Sequence, residues 1–246
     1  MKFIFLFILS FCSLTVLSQQ LSGKVTYVVS MESYTKEKID SISKNLKTKN
    51  AKMDKWMRDI FENTPDVKAF LEFNNNESLY FVEDKMQNDG KATYNLNRTF
   101  AGGDNKYYKN TKTKEYFNES STFGELMLIE IEPKKWKITQ ESKKIGNYVC
   151  YKAIDITSKN RKMKPIVWFT PEIPVSFGPL KYNGLPSLVI LVEMSKRTIS
   201  ASEIILNPKD EIIIKKPTKG KKMTAEESRK RGAAMWKNIE KQETIL

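Results

Sequence analysis

The chain has 246 residues, 42 Lys plus Arg against 29 Asp plus Glu for a formal charge of +13, no His and two Cys. Without His there is no imidazole base, no Ser-His or Cys-His nucleophile pair and no imidazole metal ligand. Two Cys cannot make a thiolate zinc site, a disulfide scaffold or an iron–sulfur cluster, and the length allows one large domain, or two small ones, with a substantial core.

The opening stretch MKFIFLFILSFCSLTVLSQQ places Lys2 before an apolar run from Phe3 to Phe11, followed by small and polar residues. That order predicts a secretory signal peptide over 1–18, cleaved after Ser18, with Val16 and Ser18 at the minus-three and minus-one positions. Two rivals are a membrane anchor, for which the run falls short of the ~20 residues a spanning helix needs, and a lipoprotein attached through Cys12, which the bulky Phe11 before it disfavours. Cleavage removes Lys2 and Cys12, leaving a charge of +12 and one cysteine in a domain running from 19 to 246. That cysteine, Cys150, sits in the alternating stretch YVCYKAI, where a small buried hydrophobe is expected rather than a reactive thiol.

GKVTYVVSM at 23–31 is rich in β-branched residues and predicts a first strand. From 35 to 63, Ile39, Ile42, Leu46, Met53, Trp56, Met57, Ile60 and Phe61 recur mostly at spacings of three and four, ahead of Pro65. This predicts a helix, or a pair divided near 45–50. Short strand-like runs follow at 69–73, 78–83, 93–100, 106–110, 114–118, 124–131, 135–141, 148–157, 165–169, 187–194 and 199–206, separated by turn signals such as NNNE, NDG, AGGDN and IGN. With no helical pattern between them, these strands predict an antiparallel meander. The charged run KDEIIIKKPTKGKK at 209–222 reads as a solvated connection, and 224–243 as a terminal helix with Thr224 as N-cap and Glu226 and Glu227 in its first turn. The fold class is α+β: a curved antiparallel sheet with an N-terminal helix or helix pair and a C-terminal helix.

The chemical motifs are weak. Ser33 with Lys36 and Ser41 with Lys44 match S-x-x-K, but 19 Ser and 36 Lys make such matches commonplace by chance, and no S-D-N or K-T-G element accompanies them. DKMQNDG from Asp84 begins like a calcium loop yet has Met86 at a ligand position and no Glu at the twelfth. Glu130 and Glu132 are spaced to share a strand face, where a solvated surface is expected ahead of a glycosidic pair. Tyr107 and Tyr108 between Lys106 and Lys109 suit stacking on bases, but Lys outnumbers Arg by 36 to 6. Bidentate phosphate and base contacts favour Arg, so no nucleic acid is expected, and the charge is read as attraction to anionic envelope surfaces. No catalytic residue, metal site or cofactor is assigned.

Between Trp136 and Val192 the chain reads WKITQESKKIGNYVCYKA and then IVWFTPEIPVSFGPLKYNGLPSLVILVE. This resembles the GLPGLI family, secreted proteins typical of Bacteroidetes. The signature stands here as Gly184, Leu185, Pro186, Ser187, Leu188 and Val189, with Ser187 replacing the second Gly. Trp136, the pattern through Lys143, Ile145, Gly146, Tyr148, Cys150, Lys152 and Ala153, and then Trp168, Ile173, Pro174, Gly178 and Pro179 agree in order. The resemblance implies an exported β-rich domain over 19–246 of undefined biochemical role, with a basic helical tail over about 209–246. A second resemblance, in fold only, is to the lipoprotein carriers of the bacterial envelope, curved half-barrels plugged by helices.

Two Gly-Pro-type breaks in GPLKYNGLPS predict a compact loop, with Gly178 and Gly184 available for positive φ and Pro179 and Pro186 fixing φ. Either the loop is architectural or it binds, Trp168, Phe169, Phe177 and Tyr182 then lining an apolar cleft. The functional expectation is a non-enzymatic exported protein that binds an apolar ligand or peptide. The alternative is an accessory subunit of an outer-membrane transporter or secretion system, docking through Met235, Trp236 and Ile239 of the terminal helix. No transmembrane segment is expected after cleavage.

Overall fold

The structure, a computed structural model, describes residues 21–32, 36–45, 55–56, 58–61, 64–84, 94–157 and 164–245. Outside them lie the signal-peptide segment 1–18 with Cys12, Ser33 of the first S-x-x-K match, the break at 46–50 and the calcium-like stretch beyond Asp84; of the side chains of Lys44, Trp236 and Ile239 nothing is described.

The strands are β1 (Ser22–Met31), β2 (Val67–Asn74), β3 (Glu77–Val82), β4 (Lys106–Asn110), β5 (Glu115–Ser120), β6 (Met127–Glu130), β7 (Trp136–Ile145), β8 (Tyr148–Asp155), β9 (Ile166–Thr170), β10 (Leu188–Met194), β11 (Arg197–Leu206) and β12 (Lys221–Met223). Three helices are described over most of their lengths: α1 (Lys36–Asn45), α2 (Leu96–Ala101) and α3 (Ala225–Ile245). All strands belong to one open sheet in the order β12-β6-β5-β4-β3-β2-β1-β11-β10-β9-β8-β7. It consists of two antiparallel meanders, β1 to β6 and β7 to β11, joined along the β1/β11 pair, with β12 added parallel to β6.

That order forces curvature. β6 and β7 are ten strand spacings apart in the sheet, about 48 Å if it were flat. Residues 131–135 connect them, a link that reaches about 20 Å at full extension. The sheet must coil until its two ends approach, while β7 and β12 remain its unpaired margins among the described residues.

Alternation selects the core face. Through the strand registers Ile138, Ala153, Val167, Val192, Ile199, Val29 and Val67 fall in one row across the sheet. All but Ile138, at the β7 margin, are buried. Tyr27, Phe73 and Tyr80 on this face are at most 1 % exposed, each side chain stabilising by roughly 1.5–3 kcal/mol on burial. Tyr27 packs edge-on to Tyr80 at 6.3 Å, and its hydroxyl donates to the Val189 carbonyl at 2.6 Å.

The predicted strand at 93–100 is instead the short helix α2. Leu96 and Phe100 are four apart, a helical spacing that also passes for alternation. Local capping decides: the Asn95 side chain accepts from the Arg98 N–H at 3.1 Å, and Gly102 closes the helix at φ 114°. Part of the charged connection is also structured. From Asn207 the chain crosses the outer side of the first meander, where Ile212 is buried and its carbonyl accepts from Asn74 Nδ2 at 2.8 Å, before entering β12 beside β6. Thr224 and Glu227 then exchange bonds at the start of α3, Glu227 N–H to Thr224 Oγ1 at 3.2 Å and Thr224 N–H to Glu227 Oε2 at 2.9 Å.

Candidate functional site

Residues 171–187, between β9 and β10, fold back over the core face. Leu188 N–H bonds the Ile173 carbonyl at 3.0 Å and Val189 N–H the Phe177 carbonyl at 3.0 Å, so the loop is stitched to the strand that it feeds. Ile173, Val175, Phe177, Tyr182 and Leu185 are buried in the core, and Phe177 packs on Phe73 at 5.8 Å. Together with α2, whose Ala101 carbonyl accepts from the Tyr80 hydroxyl at 3.0 Å, this loop fills the concave side.

The signature residues divide their work. Gly178 has no positive φ; a Cβ there would lie 2.1 Å from the Tyr182 carbonyl oxygen and 2.8 Å from Val189 Cβ, so close approach requires Gly. Gly184 has φ 88°, and a Cβ there would meet only Trp136 Nε1 at an ordinary 3.7 Å, so conformation requires it. Positive φ at Gly178, expected from sequence, is thus corrected. Pro179, Leu185, Ser187 and Leu188 are buried and Pro186 is exposed. Ser187 is not among the positive-φ residues, which explains why a side chain is accepted where the signature has Gly.

The four aromatic candidates do not share a face. Phe169, Phe177 and Tyr182 belong to the core side. Trp168, next to Phe169 on β9, points outward, donating from Nε1 to Glu193 Oε2 at 2.7 Å beneath Lys143, whose Nζ is 4.1 Å from its ring centre and 3.0 Å from Glu193 Oε1. All four are only 1–7 % exposed.

Lys109, whose burial no local sequence pattern signals, enters the core side from β4. Its Nζ donates to the Ser176 carbonyl, lies 3.2 Å from Ser176 Oγ, and stands over the rings of Tyr116 and Phe177 at 5.2 and 5.4 Å. Burial pulls the ammonium down to about 8. It borders a recess shared with Ser78, Tyr107, Gly178 and Leu180, with about 10 Å³ of free volume, room for a single water-sized sphere. Nothing in the sequence pattern around Lys109 separates it from the 35 other lysines; only the loop laid over it does.

Other candidates resolve differently. Cys150 is fully buried, and burial, followed by the Glu172 charge, pushes its thiol up to about 11, against the thiolate form. Glu132 lies beyond the end of β6 and is held by both terminal nitrogens of Arg229, at 2.9 and 3.1 Å, so it does not share a strand face with Glu130. Tyr108 is buried on the outer face against Phe117, with its hydroxyl on Glu77, while Tyr107 packs inside on Tyr80. Among the described residues no three His, Cys, Asp or Glu gather to hold a metal ion.

The loop leaves part of the core face uncovered beside β7. Beside the free strand β7, Ile138 is 50 %, Val149 47 % and Tyr151 37 % exposed. Register puts Ile138 in the row of Ala153 and Val167, and Tyr151 in that of Phe169 and Val189, so these are core-face residues left open at the margin.

A family model described as "Protein of unknown function (Porph_ging)" matches residues 157–191, from the end of β8 through the filling loop into β10. No curated protein matches. The solved structures of PNGF-II in its C2 and P21 crystal forms are similar, each at 15 % identity, with TM-scores of 0.47 and 0.52, covering 84 % and 86 % of this chain. The matches cover 31 % and 32 % of PNGF-II, so this chain spans about a third of its length. The P21 likeness is one of fold. No described helix is long and apolar enough to cross a membrane.

Proposed function

We propose that this protein is an exported, non-enzymatic binding protein of the bacterial cell envelope, which holds an apolar peptide or other apolar ligand at the open margin of a half-barrel sheet. One observation carries the proposal: the apolar core face continues to the β7 edge as Ile138, Val149 and Tyr151, uncovered by the loop that fills the rest. Singly exposed apolar residues are ordinary; three on the core face of adjoining strands form a continuous strip. Membership of the GLPGLI family belongs to the same proposal, supported by Gly184–Leu188 lying within the segment similar to a family of unknown function. So does the analogy with half-barrel lipoprotein carriers, the filling being supplied here by residues 171–187 and α2. Export rests on the pattern of residues 1–18.

Native mass spectrometry of protein recovered from the periplasm, with lipid and peptide titrations, tests the proposal. Co-purified ligand, or saturable binding weakened by Ile138→Glu or Tyr151→Glu, is expected; no saturable binding of either class overturns it. A second reading, docking to an envelope transporter or secretion system through α3, draws on the exposure of most of that helix between Glu227 and Met235, with Ser228 and Gly232 half-buried, anchored by Arg229 on Glu132 and Arg231 on Glu125. In-cell crosslinking with and without residues 224–246 separates the two.

A further inference from the structure

We infer that β7 is an acceptor edge for strand addition and that its occupant is an extended acidic peptide with apolar residues at alternate positions. This rests on the binding-protein reading above and names the class of ligand.

β7 spans ten residues and pairs only with β8 among the described residues, so the backbone N–H and C=O groups on its other side have no strand partner. An added strand satisfies them and places every second side chain on the core-face side, beside Ile138 and Tyr151. A bulge between Ile138 and Ser142 interrupts the ladder, leaving regular pairing on both sides of it.

Charge selects the occupant. Along this edge Lys134 is paired with Asp155, Lys143 with Glu193, and Glu141 with Lys152. Lys135, Lys137 and Lys144 are exposed and have no ion-pair partner among the described residues. Unpaired lysines blunt an edge against self-association, because a second copy of β7 would set lysines against lysines. A strand carrying its acids on the face opposite Ile138 meets Lys135 and Lys137 with opposite charge, while register sets Lys144 on the face of Val149.

The test is titration of the purified protein with a synthetic peptide of alternating glutamate and valine, against one of alternating lysine and valine. Saturable binding of the acidic peptide alone is expected, with β7 amides gaining protection from hydrogen exchange. Joint Lys135→Glu and Lys137→Glu replacement, both on the face opposite Ile138, should weaken it by about tenfold or more without changing the melting temperature markedly. Methylating all the peptide's backbone nitrogens, which leaves charge and apolar side chains but removes every ladder donor, should abolish it. Equal binding of both peptides, retained binding of the methylated peptide, insensitivity to the lysine changes, or dimerisation of the protein through β7 each overturns strand addition. Binding of an apolar ligand or of peptide elsewhere would leave the broader reading standing; absence of all binding removes both.

Discussion

Lys109 holds a cationic side chain at 5 % exposure with a carbonyl, a hydroxyl and two aromatic faces around it and no carboxylate pairing with it among the described residues. Its folded value, about 8, lies below the ordinary 10.5 because burial disfavours the charged form. Below about pH 8 both states carry the proton and the full desolvation penalty opposes folding. Between that value and 10.5 the unfolded chain binds it more strongly, so this group makes stability rise with pH, by at most about 1.4 kcal/mol per unit. Denaturant unfolding of wild type and Lys109→Met from pH 7 to 10 should show the wild type gaining on the variant; parallel curves would mean that Lys109 titrates normally. Glycines make a second contrast at this scale. Gly178→Ala should cost about 1–3 kcal/mol through overpacking against Tyr182 and Val189. Gly184→Ala should cost about 1–2 kcal/mol through left-handed backbone alone. Gly184→Asn, which tolerates that backbone better, should recover much of the latter, while Gly178→Asn should not recover the former, as thermal melts would reveal.

Among the elements, the β6–β7 connection does the most to shape the sheet. Its Lys134 bonds Asp155 at the end of β8, a carboxylate 1 % exposed that also accepts from Thr157 N–H at 2.8 Å. Burial pushes the Asp155 carboxyl up, but the bonds from Lys134 and Thr157 outweigh it and hold it below the usual range. Stability from this group is therefore present above the unfolded carboxylate value and lost as pH falls through the folded one. Asp155→Ala should cost about 3–5 kcal/mol at neutral pH, leaving Lys134 without its partner, and acid unfolding curves of variant and wild type should converge as Asp155 protonates. Strands were legible because β-branched and aromatic residues alternate between turn signals, as in GKVTYVVSM and KAFLEF. α2 was not, because six residues hold too few turns to establish a helical period and Asn95 and Gly102 resemble loop punctuation. β12 was not, because KKM has no apolar pattern and pairs only where β6 offers an edge.

Across the whole molecule, the C-terminal segment straps the first meander, from the end of β11 at mid-sheet to the β6 margin. Ile212 lies buried outside the first meander, Lys216 bonds Glu115 at 2.6 Å, and β12 extends the β6 edge. Truncation after Leu206 should leave the sheet from β1 to β11 folded, with a lowered melting temperature and increased binding of an apolar dye at the uncovered Tyr108 and Phe117. Unchanged melting would mean that the segment is only a tether. The net charge of +13 is not spread evenly in effect: many lysines meet carboxylates across strands, and the unpaired ones beside β7 give the margin its sign.

The sequence by itself determined the strand-rich texture, the missing imidazole chemistry and the Gly-Pro loop, because alternation, composition and restricted backbone act over a few neighbouring residues. Only the tertiary structure decided that this loop fills the concave side, burying Phe169, Phe177 and Tyr182 within it. It also decided that Trp168 faces away and that Ile138, Val149 and Tyr151 stay open beside β7. Those outcomes depend on strand order and register. β1 joins two meanders through pairing with β11, more than 160 residues later in the chain. No local pattern records which edge such long-range pairing leaves free.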